Sequence, residues 1–380
     1  MMSLKSKREL VEAIRPRYKK ATGAEKESIL NEFIANTGYH RKSAIRALNH
    51  SYKATGIKKA GRKKVYLGEV VVALEMIWEV LGRLCSSRLK PFLPEIVTVM
   101  ERTGELRLTK ENKELLLAMS RATIDRCLKR ARFTPAPRGR STTKPGSLLK
   151  GNIPVKVFTP WDDEKPGFVE IDLVAHCGVS ADGVYLNTLT ATDIATGWTE
   201  CLGLPNKTQT AVLEALAELR RRLPFSLLGI DSDNGTEFIN EALLKYCKKE
   251  KINFTRSRPY HKNDQAHVEQ KNWSVVRHTI GYERMETDEA LAQLRAIYDD
   301  LRLYINYFQP SLKLVGKKQV DGHTKRIYDE AKTPYRRVLA LVDLPILAKA
   351  RLSEQYMRLN PVALRTSIDA KVDQLYEIVR

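Results

Sequence analysis

Between residues 168 and 278 the apolar period changes from two to about 3.6, and the order of those changes restricts the fold more than any other feature. Phe168, Glu170, Asp172 and Val174 alternate with Val169, Ile171, Leu173 and Ala175, which predicts a strand with Asp172 near its centre. Runs at 184–193 and 198–204 follow after short glycine-bearing turns and predict an antiparallel meander. A helix starting at Asn206 or Thr208 comes next, with Val212, Leu216, Leu219 and Leu223 along one side. Residues 225–231 read as an apolar strand, 237–249 as a helix, 252–255 as a fifth strand and 265–278 as a third helix. Three sequential strands, then helix, strand, helix, strand and helix, predict an α/β unit with a mixed five-stranded sheet and helices packed on it.

Three carboxylates fall at telling places in that order. Asp172 lies mid-strand, Asp233 follows the strand that ends at Asp231, and Glu269 stands in the first turns of the third helix. Sixty residues separate Asp172 from Asp233, and 35 separate Asp233 from Glu269. Acids occupy 45 of 380 positions, so spacing alone would often be met by chance and the local context has to carry the inference. Asp233 sits in Asp231-Ser232-Asp233-Asn234-Gly235-Thr236-Glu237-Phe238, and Glu269 closes Asn263-Asp264-Gln265-Ala266-His267-Val268-Glu269. Asp231 competes with Asp233, but it leaves 37 residues before Glu269 and lacks the following Asn-Gly. Asp193 and Glu237 are further acids expected near the group, at a strand end and in a first helical turn, where acids also stand for ordinary reasons. Asp264 is read as a cap for the helix carrying Glu269, and His267 as pointing roughly 200° away from Glu269.

The formal net charge is +20, and it is unevenly placed. Residues 1–150 hold 33 Lys and Arg against 14 Asp and Glu, whereas residues 151–380 hold 32 against 31. A basic segment joined to a neutral one reads as a polyanion-binding half and a second half with another task. From Glu25, apolar Ile29, Leu30, Phe33 and Ile34 predict a helix that Thr37-Gly38 ends, and His40–Asn49 predicts a second with Ala44, Ile45 and Leu48 inward. Two short helices with a tight turn and a basic second helix, carrying Arg41, Lys42 and Arg46, match a DNA-binding helix-turn-helix; a plain helical hairpin has the same pattern. A basic arm with Arg62, Lys63 and Lys64 follows, then an amphipathic helix over 70–84, then Pro91 and Pro94 as punctuation before another helical pair. A last helix, capped by Ser120, turns Ile124, Cys127 and Leu128 inward and leaves Arg121, Arg126, Lys129 and Arg130 outside. In the proline-rich stretch 133–166, Pro137-Arg138-Gly139-Arg140 offers two arginines to an A·T minor groove or simply belongs to a solvated linker. Beside the proposed carboxylates, Arg256, Arg258 and Lys262 interleave with Tyr260 and His261, and Lys271 and Arg277 extend the same path, a pattern suited to gripping a strand end.

With these residues in view, the segment from about 160 to 310 resembles the catalytic core of the retroviral integrase superfamily, including bacterial insertion-sequence transposases. Asp233-Asn234-Gly235 with Phe238 is similar to the second-aspartate motif of that family and Asn263–Glu269 to its glutamate motif. Asn306-Tyr307-Phe308-x-Pro310 and the upstream basic helices are also similar to the bacterial branch, and no His/Cys pairs have the spacing of the retroviral zinc domain. The resemblance implies a ribonuclease H-like fold and a DNA transposase whose Asp172, Asp233 and Glu269 bind two Mg²⁺ or Mn²⁺ ions. It also implies double-stranded DNA partners (element ends and target), a homo-oligomer on DNA, and bacterial cytoplasm with nucleoid association. A catalytically silent, transposase-derived DNA-binding regulator is the alternative.

The expected domains are a helix-turn-helix domain at 1–60, a second helical DNA-binding domain at 61–135, a linker at 136–160, the core at 161–310 and a mainly helical tail at 311–380. In the tail, Lys313, Lys317, Lys318, Lys325 and Arg326 are expected in a basic loop before a helical region that starts at Thr333. The five cysteines are odd in number and never Cys-x-x-Cys, which argues against a disulfide framework and the common zinc modules. The apolar run 70–81 is interrupted by Glu75 and Glu79, so no membrane span is expected.

Overall fold

In the computed structural model, described residues are 2–50, 65–132, 165–233, 235, 237–257, 266–320 and 323–379. Two compact units divide the chain, residues 1–65 and residues 66–380.

The first unit packs α1 (Leu4–Lys20), α2 (Gly23–Thr37) and α3 (Arg41–Asn49) around Val11, Tyr18, Ile29, Leu30, Phe33, Ala44 and Leu48. A capping box between Thr22 and Glu25 starts α2. Gly38 ends it at φ +67°, donating its amide to the Ile34 carbonyl, a left-handed conformation that favours glycine.

The second unit contains the sheet, in the order β3-β2-β1-β4-β5. Strands β1 (Phe168–Ala175), β2 (Asn187–Asp193) and β3 (Thr199–Leu204) form the antiparallel meander. After α8 (Gln209–Arg222), β4 (Gly229–Ser232) returns parallel to β1, and after α9 (Glu241–Glu250), β5 (Asn253–Arg256) lies parallel to β4. Val169, Ile171, Leu173, Leu189 and Leu202 pack against α8 and α9. The other face is covered by α10 (Ala266–Lys271), a π-helical turn (Asn272–Arg277), α11 (His278–Ile280) and the long α12 (Asp288–Phe308). This is the expected α/β ribonuclease H-like core with its mixed five-stranded sheet, flanked by helical N- and C-terminal regions.

The helices before the sheet do not stand apart from it. Helices α4 (Glu69–Val80), α5 (Ser86–Arg102), α6 (Lys110–Ala118) and α7 (Arg121–Cys127) share one apolar core with α12 and with α13 (Pro334–Leu339), α14 (Ile346–Arg358) and α15 (Pro361–Val379). The Tyr304 hydroxyl donates to the Val80 carbonyl at 2.7 Å, and Arg88 Nε to the Pro310 carbonyl at 2.6 Å. The boundaries expected at 135 and 310 therefore fall inside one packed unit. The Asn306-Tyr307-Phe308 motif is part of this joinery. The Asn306 amide clamps Thr199 at the start of β3 through both its oxygen (2.9 Å) and its nitrogen (2.8 Å), and Tyr307 packs against Trp198, Tyr335 and Tyr356.

Two expectations are corrected. Pro91 and Pro94 do not punctuate; both lie inside α5. Each forgoes an amide hydrogen bond, but Leu89, Phe92, Leu93, Ile96, Val97 and Met100 are buried on that helix, and their burial outweighs the loss. The basic segment after Pro310 is a β-hairpin, β6 (Leu314–Val320) and β7 (His323–Tyr328), rather than the expected loop. Among the described residues no helix is long and apolar enough to cross a membrane.

Candidate functional site

Strand β1 sends Val169, Ile171 and Leu173 to one side of the sheet, so Glu170 and Asp172 face the other, toward α10. Ile171 is paired with Ser232 in the parallel β1–β4 ladder. One further step along both strands sets Asp172 beside Asp233, at the carboxyl edge where parallel strands of an α/β sheet present their ligands. Helix α10 lies across β1 and β2 and brings Glu269 to the same edge. The structure thus gathers the three carboxylates that the sequence singles out.

Their electrostatics agree with that placement. The Asp172 carboxyl is pushed up to about 7, first by burial and then by the charge of Asp233, with Glu269 adding to it. Two hydrogen bonds oppose the rise: the Leu173 amide donates to Asp172 Oδ1 at 2.8 Å, and Asn272 Nδ2 to Oδ2 at 2.6 Å. Asp233 is also raised, by burial and by Glu237, against the lowering effect of the Gly235 amide, which donates to its Oδ1 at 2.8 Å. Carboxylates that raise one another's proton affinity form a set short of positive charge, and such hard oxygen donors suit Mg²⁺ or Mn²⁺. Among the described residues no group of three or more acidic, histidine or cysteine side chains is placed to hold a metal ion as it stands. The fit therefore rests on donor chemistry and charge.

Beneath this trio lies a second acidic layer. Glu170 is 1% exposed, and its Oε2 accepts the main-chain amides of His267 (3.0 Å) and Val268 (3.1 Å), so a strand carboxylate caps the helix that carries Glu269. Asp231, opposite Glu170 in the ladder, is 0% exposed and accepts from the Thr255 hydroxyl at 2.6 Å. It is held within the sheet, one pleat below Asp233. Glu170 and Asn272 escaped the sequence reading, although each had a signal: Glu170 is two residues before Asp172 on one strand face, and Asn272 is three after Glu269 along the helical segment.

Other expectations fare variously. Glu237 is buried, and its charge reaches Asp233. Asp193 does not approach the group: it accepts the Gly167 amide at 2.7 Å and the Thr196 amide and hydroxyl at 2.8 and 2.6 Å, closing the β2–β3 turn and pinning the start of β1. Lys271, expected to touch DNA, is turned away from Glu269 by about 200°. Burial pushes its ammonium down to about 8, with Arg88 as a repelling neighbour and Cys201 as a favourable one. Arg277 is likewise engaged within the unit, donating to the Ala175 carbonyl at 2.7 Å and lying over Tyr282.

On the first unit, Lys42 and Arg46 are exposed on α3, and Arg41 is exposed but pairs with Glu27 at 2.8 Å. On α7, Ser120 caps the helix by accepting the Thr123 amide, Ile124 and Leu128 are buried, and Arg121, Arg126, Lys129 and Arg130 are exposed. Arg256 is half-buried at the end of β5. Arg62, Lys63, Lys64, Arg138, Arg140, Arg258, Lys262, and the expected Asp264 cap lie outside the described residues.

Comparison with known proteins adds to this geometry. Residues 162–262 match the family model described as Integrase core domain. Over 336 residues the chain is 42% identical to "Uncharacterized protein y4rM" of Sinorhizobium fredii (strain NBRC 101917 / NGR234), across 88% of this chain and 96% of that protein. Among solved structures, the catalytic core domain of BIV integrase is 19% identical, with a TM-score of 0.28 and coverage of 45% of this chain and 91% of that one.

Proposed function

The chain belongs to the integrase core domain family, and on that premise we propose that it is a DNA transposase that cuts element ends and joins the resulting 3′-OH to target DNA. Family membership supports the coarser activity, that of a transposase- or integrase-type polynucleotidyl transferase. The observation that carries the finer reading is the convergence of Asp172, Asp233 and Glu269 at the carboxyl edge of β1 and β4. Two Mg²⁺ or Mn²⁺ ions held by these carboxylates would supply the Lewis acidity that in-line displacement at phosphorus requires.

The remaining work falls to the chain itself. Asn272 and the Leu173 amide fix the Asp172 carboxyl, the Gly235 amide fixes that of Asp233, and Glu170 anchors the helix that presents Glu269. Holding the donors within a strand, just past a strand end and on a capped helix keeps residues distant in sequence in one geometry. Duplex DNA is the proposed partner, contacted by the exposed cations Arg41, Lys42 and Arg46 of α3 and Arg121 and Arg126 of α7, with α2 and α3 acting as a helix-turn-helix. Arg62, Lys63, Lys64, Arg138, Arg140, Arg256, Arg258 and Lys262 extend that proposed contact. Pairing two element ends calls for at least two copies on the DNA.

The test is cleavage and joining of a labelled duplex bearing the element's own ends, with Mg²⁺ or with EDTA, for wild type and Glu269→Gln. Metal-dependent joined products that disappear in the variant support the transposase and place Glu269 in its site. Specific binding without cleavage under the same conditions selects the catalytically silent regulator.

A further inference from the structure

We propose that the β6–β7 hairpin is a duplex-DNA-binding ribbon that enters a groove and meets the phosphate walls with both of its faces. The proposal rests on the reading of the chain as a DNA-acting enzyme and adds a contact site to it.

The hairpin is built unlike the rest of the second unit. Its strands carry Lys317, Lys318, Lys325 and Arg326 and no acidic residue. Every residue of both strands is exposed except Gly316, which is half-buried, so neither face covers a core. An isolated two-stranded hairpin is marginal in water, and among the described residues the contacts that secure this one lie at its base. The Lys313 amide donates to Asp329 Oδ1 at 2.6 Å, Asp329 Oδ2 accepts from Arg337 at 2.7 Å, and Ser311 bridges Lys332. A fixed base beneath a projecting arm suits insertion into a partner.

The register supplies the chemistry of that partner. Lys317 is directly opposite Arg326, and Lys318 is directly opposite Lys325. Successive strand positions point to opposite faces, so each face bears one cation pair at cross-strand distance. Like charges so placed repel, twice over in one short ribbon, and a polyanion on both sides relieves the repulsion. A flat anionic surface such as a bilayer would serve one face only. The major groove of B-form DNA admits a two-stranded ribbon between two phosphate backbones, whereas the A-form major groove is too narrow for protein side chains. The exposed Val315, Val320, Ile327 and Tyr328 give the ribbon apolar surface beside its cations, as contact with sugars and thymine methyls requires.

The experiment is fluorescence anisotropy of the full chain on a labelled mixed-sequence B-form duplex across a salt series. Wild type is compared with the combined variant Lys317→Gln, Lys318→Gln, Lys325→Gln and Arg326→Gln. Each neutralised phosphate adds about 0.9 to the slope of log K against log salt, so removing four cations from the groove should lower the slope by about 3.6 and weaken low-salt binding more than tenfold. A control removes the same charge from α9 and its end through Lys245→Gln, Lys248→Gln, Lys249→Gln and Lys251→Gln, and should keep the wild-type slope. A photo-crosslinking residue at Thr324, with all four cations intact, should attach to the duplex. A hairpin variant that keeps the wild-type slope and affinity while wild type binds overturns the ribbon alone. A wild type that does not bind the duplex overturns the functional reading and the ribbon with it. An equal loss in the control, absence of the crosslink, or hairpin-dependent binding of double-stranded RNA or anionic vesicles in place of DNA also overturns the ribbon.

Discussion

Replacing Glu170 by Ala removes the buried acceptor for two main-chain amides at the start of α10. Hydrogen bonds to an ionised group contribute about 1.5–3 kcal/mol each, and loss of a helix cap usually costs about 0.5–2 kcal/mol. The two amides share one oxygen, so their effects are not independent, and about 2–4 kcal/mol is the range expected for releasing the first turn of α10. Hydrogen exchange reads this directly. At a factor of ten per 1.4 kcal/mol, the amides of His267 and Val268 should exchange about 30- to 700-fold faster, while β2 and β3 keep their protection. Glu170→Gln retains a neutral acceptor and should recover part of the protection. End cleavage should fall with Glu170→Ala and partly return with Glu170→Gln, although neither variant alters a member of the acidic trio. Unchanged exchange at His267 and Val268 in Glu170→Ala, even with a lowered melting temperature, would refute the reasoning, because the carboxylate would then stabilise the sheet without holding the helix.

The pH dependence of Asp172 provides a second prediction. Its folded carboxyl titrates at about 7 against 3.8 unfolded, so the folded protein binds the extra proton between those values and loses stability as pH rises through that window. Asp172→Asn should therefore melt higher than wild type at pH 8 without divalent ions and converge with it near pH 4. Buried His176, lowered to about 3 from 6.5, contributes the opposite slope, so the effect is read in the difference between the two proteins; parallel melting curves would refute it. Arg302→Met should destabilise the second unit by about 3–5 kcal/mol, because Glu200 is fully buried and holds Arg302 through both oxygens at 2.7 and 2.8 Å. Adding Glu200→Gln to Arg302→Met should restore part of that loss in a denaturant titration, whereas strictly additive losses would show that the charge pair is not the cause.

The sheet was legible because its strands alternate or run apolar between turn residues, and burial on both faces left little freedom in their order. The acidic trio was legible because its local contexts are specific. Single-position signals failed wherever tertiary packing outweighed them. Pro91 and Pro94 look like breakers, yet the apolar surface around them keeps α5 continuous. Lys271 looks like one more cation on a basic path, but two positions along a helix reverse its direction relative to Glu269. The hairpin escaped the pattern for the opposite reason: with both faces exposed it has no apolar alternation to display.

The competition between Asp231 and Asp233 follows from the same strand geometry. β1 carries Glu170-Ile171-Asp172, and β4 with its edge carries Asp231-Ser232-Asp233. Because the strands are parallel with Glu170 opposite Asp231, two acids spaced by two on each strand form two layers on one face. In the inner layer Glu170 Oε2 accepts the amides of α10 and Asp231 Oδ1 accepts the Thr255 hydroxyl of β5. Its carboxylates tie down the helix and the strand on either side. The outer layer stands where the β1–β4 pairing ends, and there Asp172 accepts from the Leu173 amide and Asn272 and Asp233 from the Gly235 amide, neutral donors that orient the carboxylates without neutralising them. On the proposed reading a metal ion would compete for the outer pair, whereas withdrawing the inner pair would release the elements that define the site. The division of labour between chemically similar carboxylates would thus be set by depth along the strand.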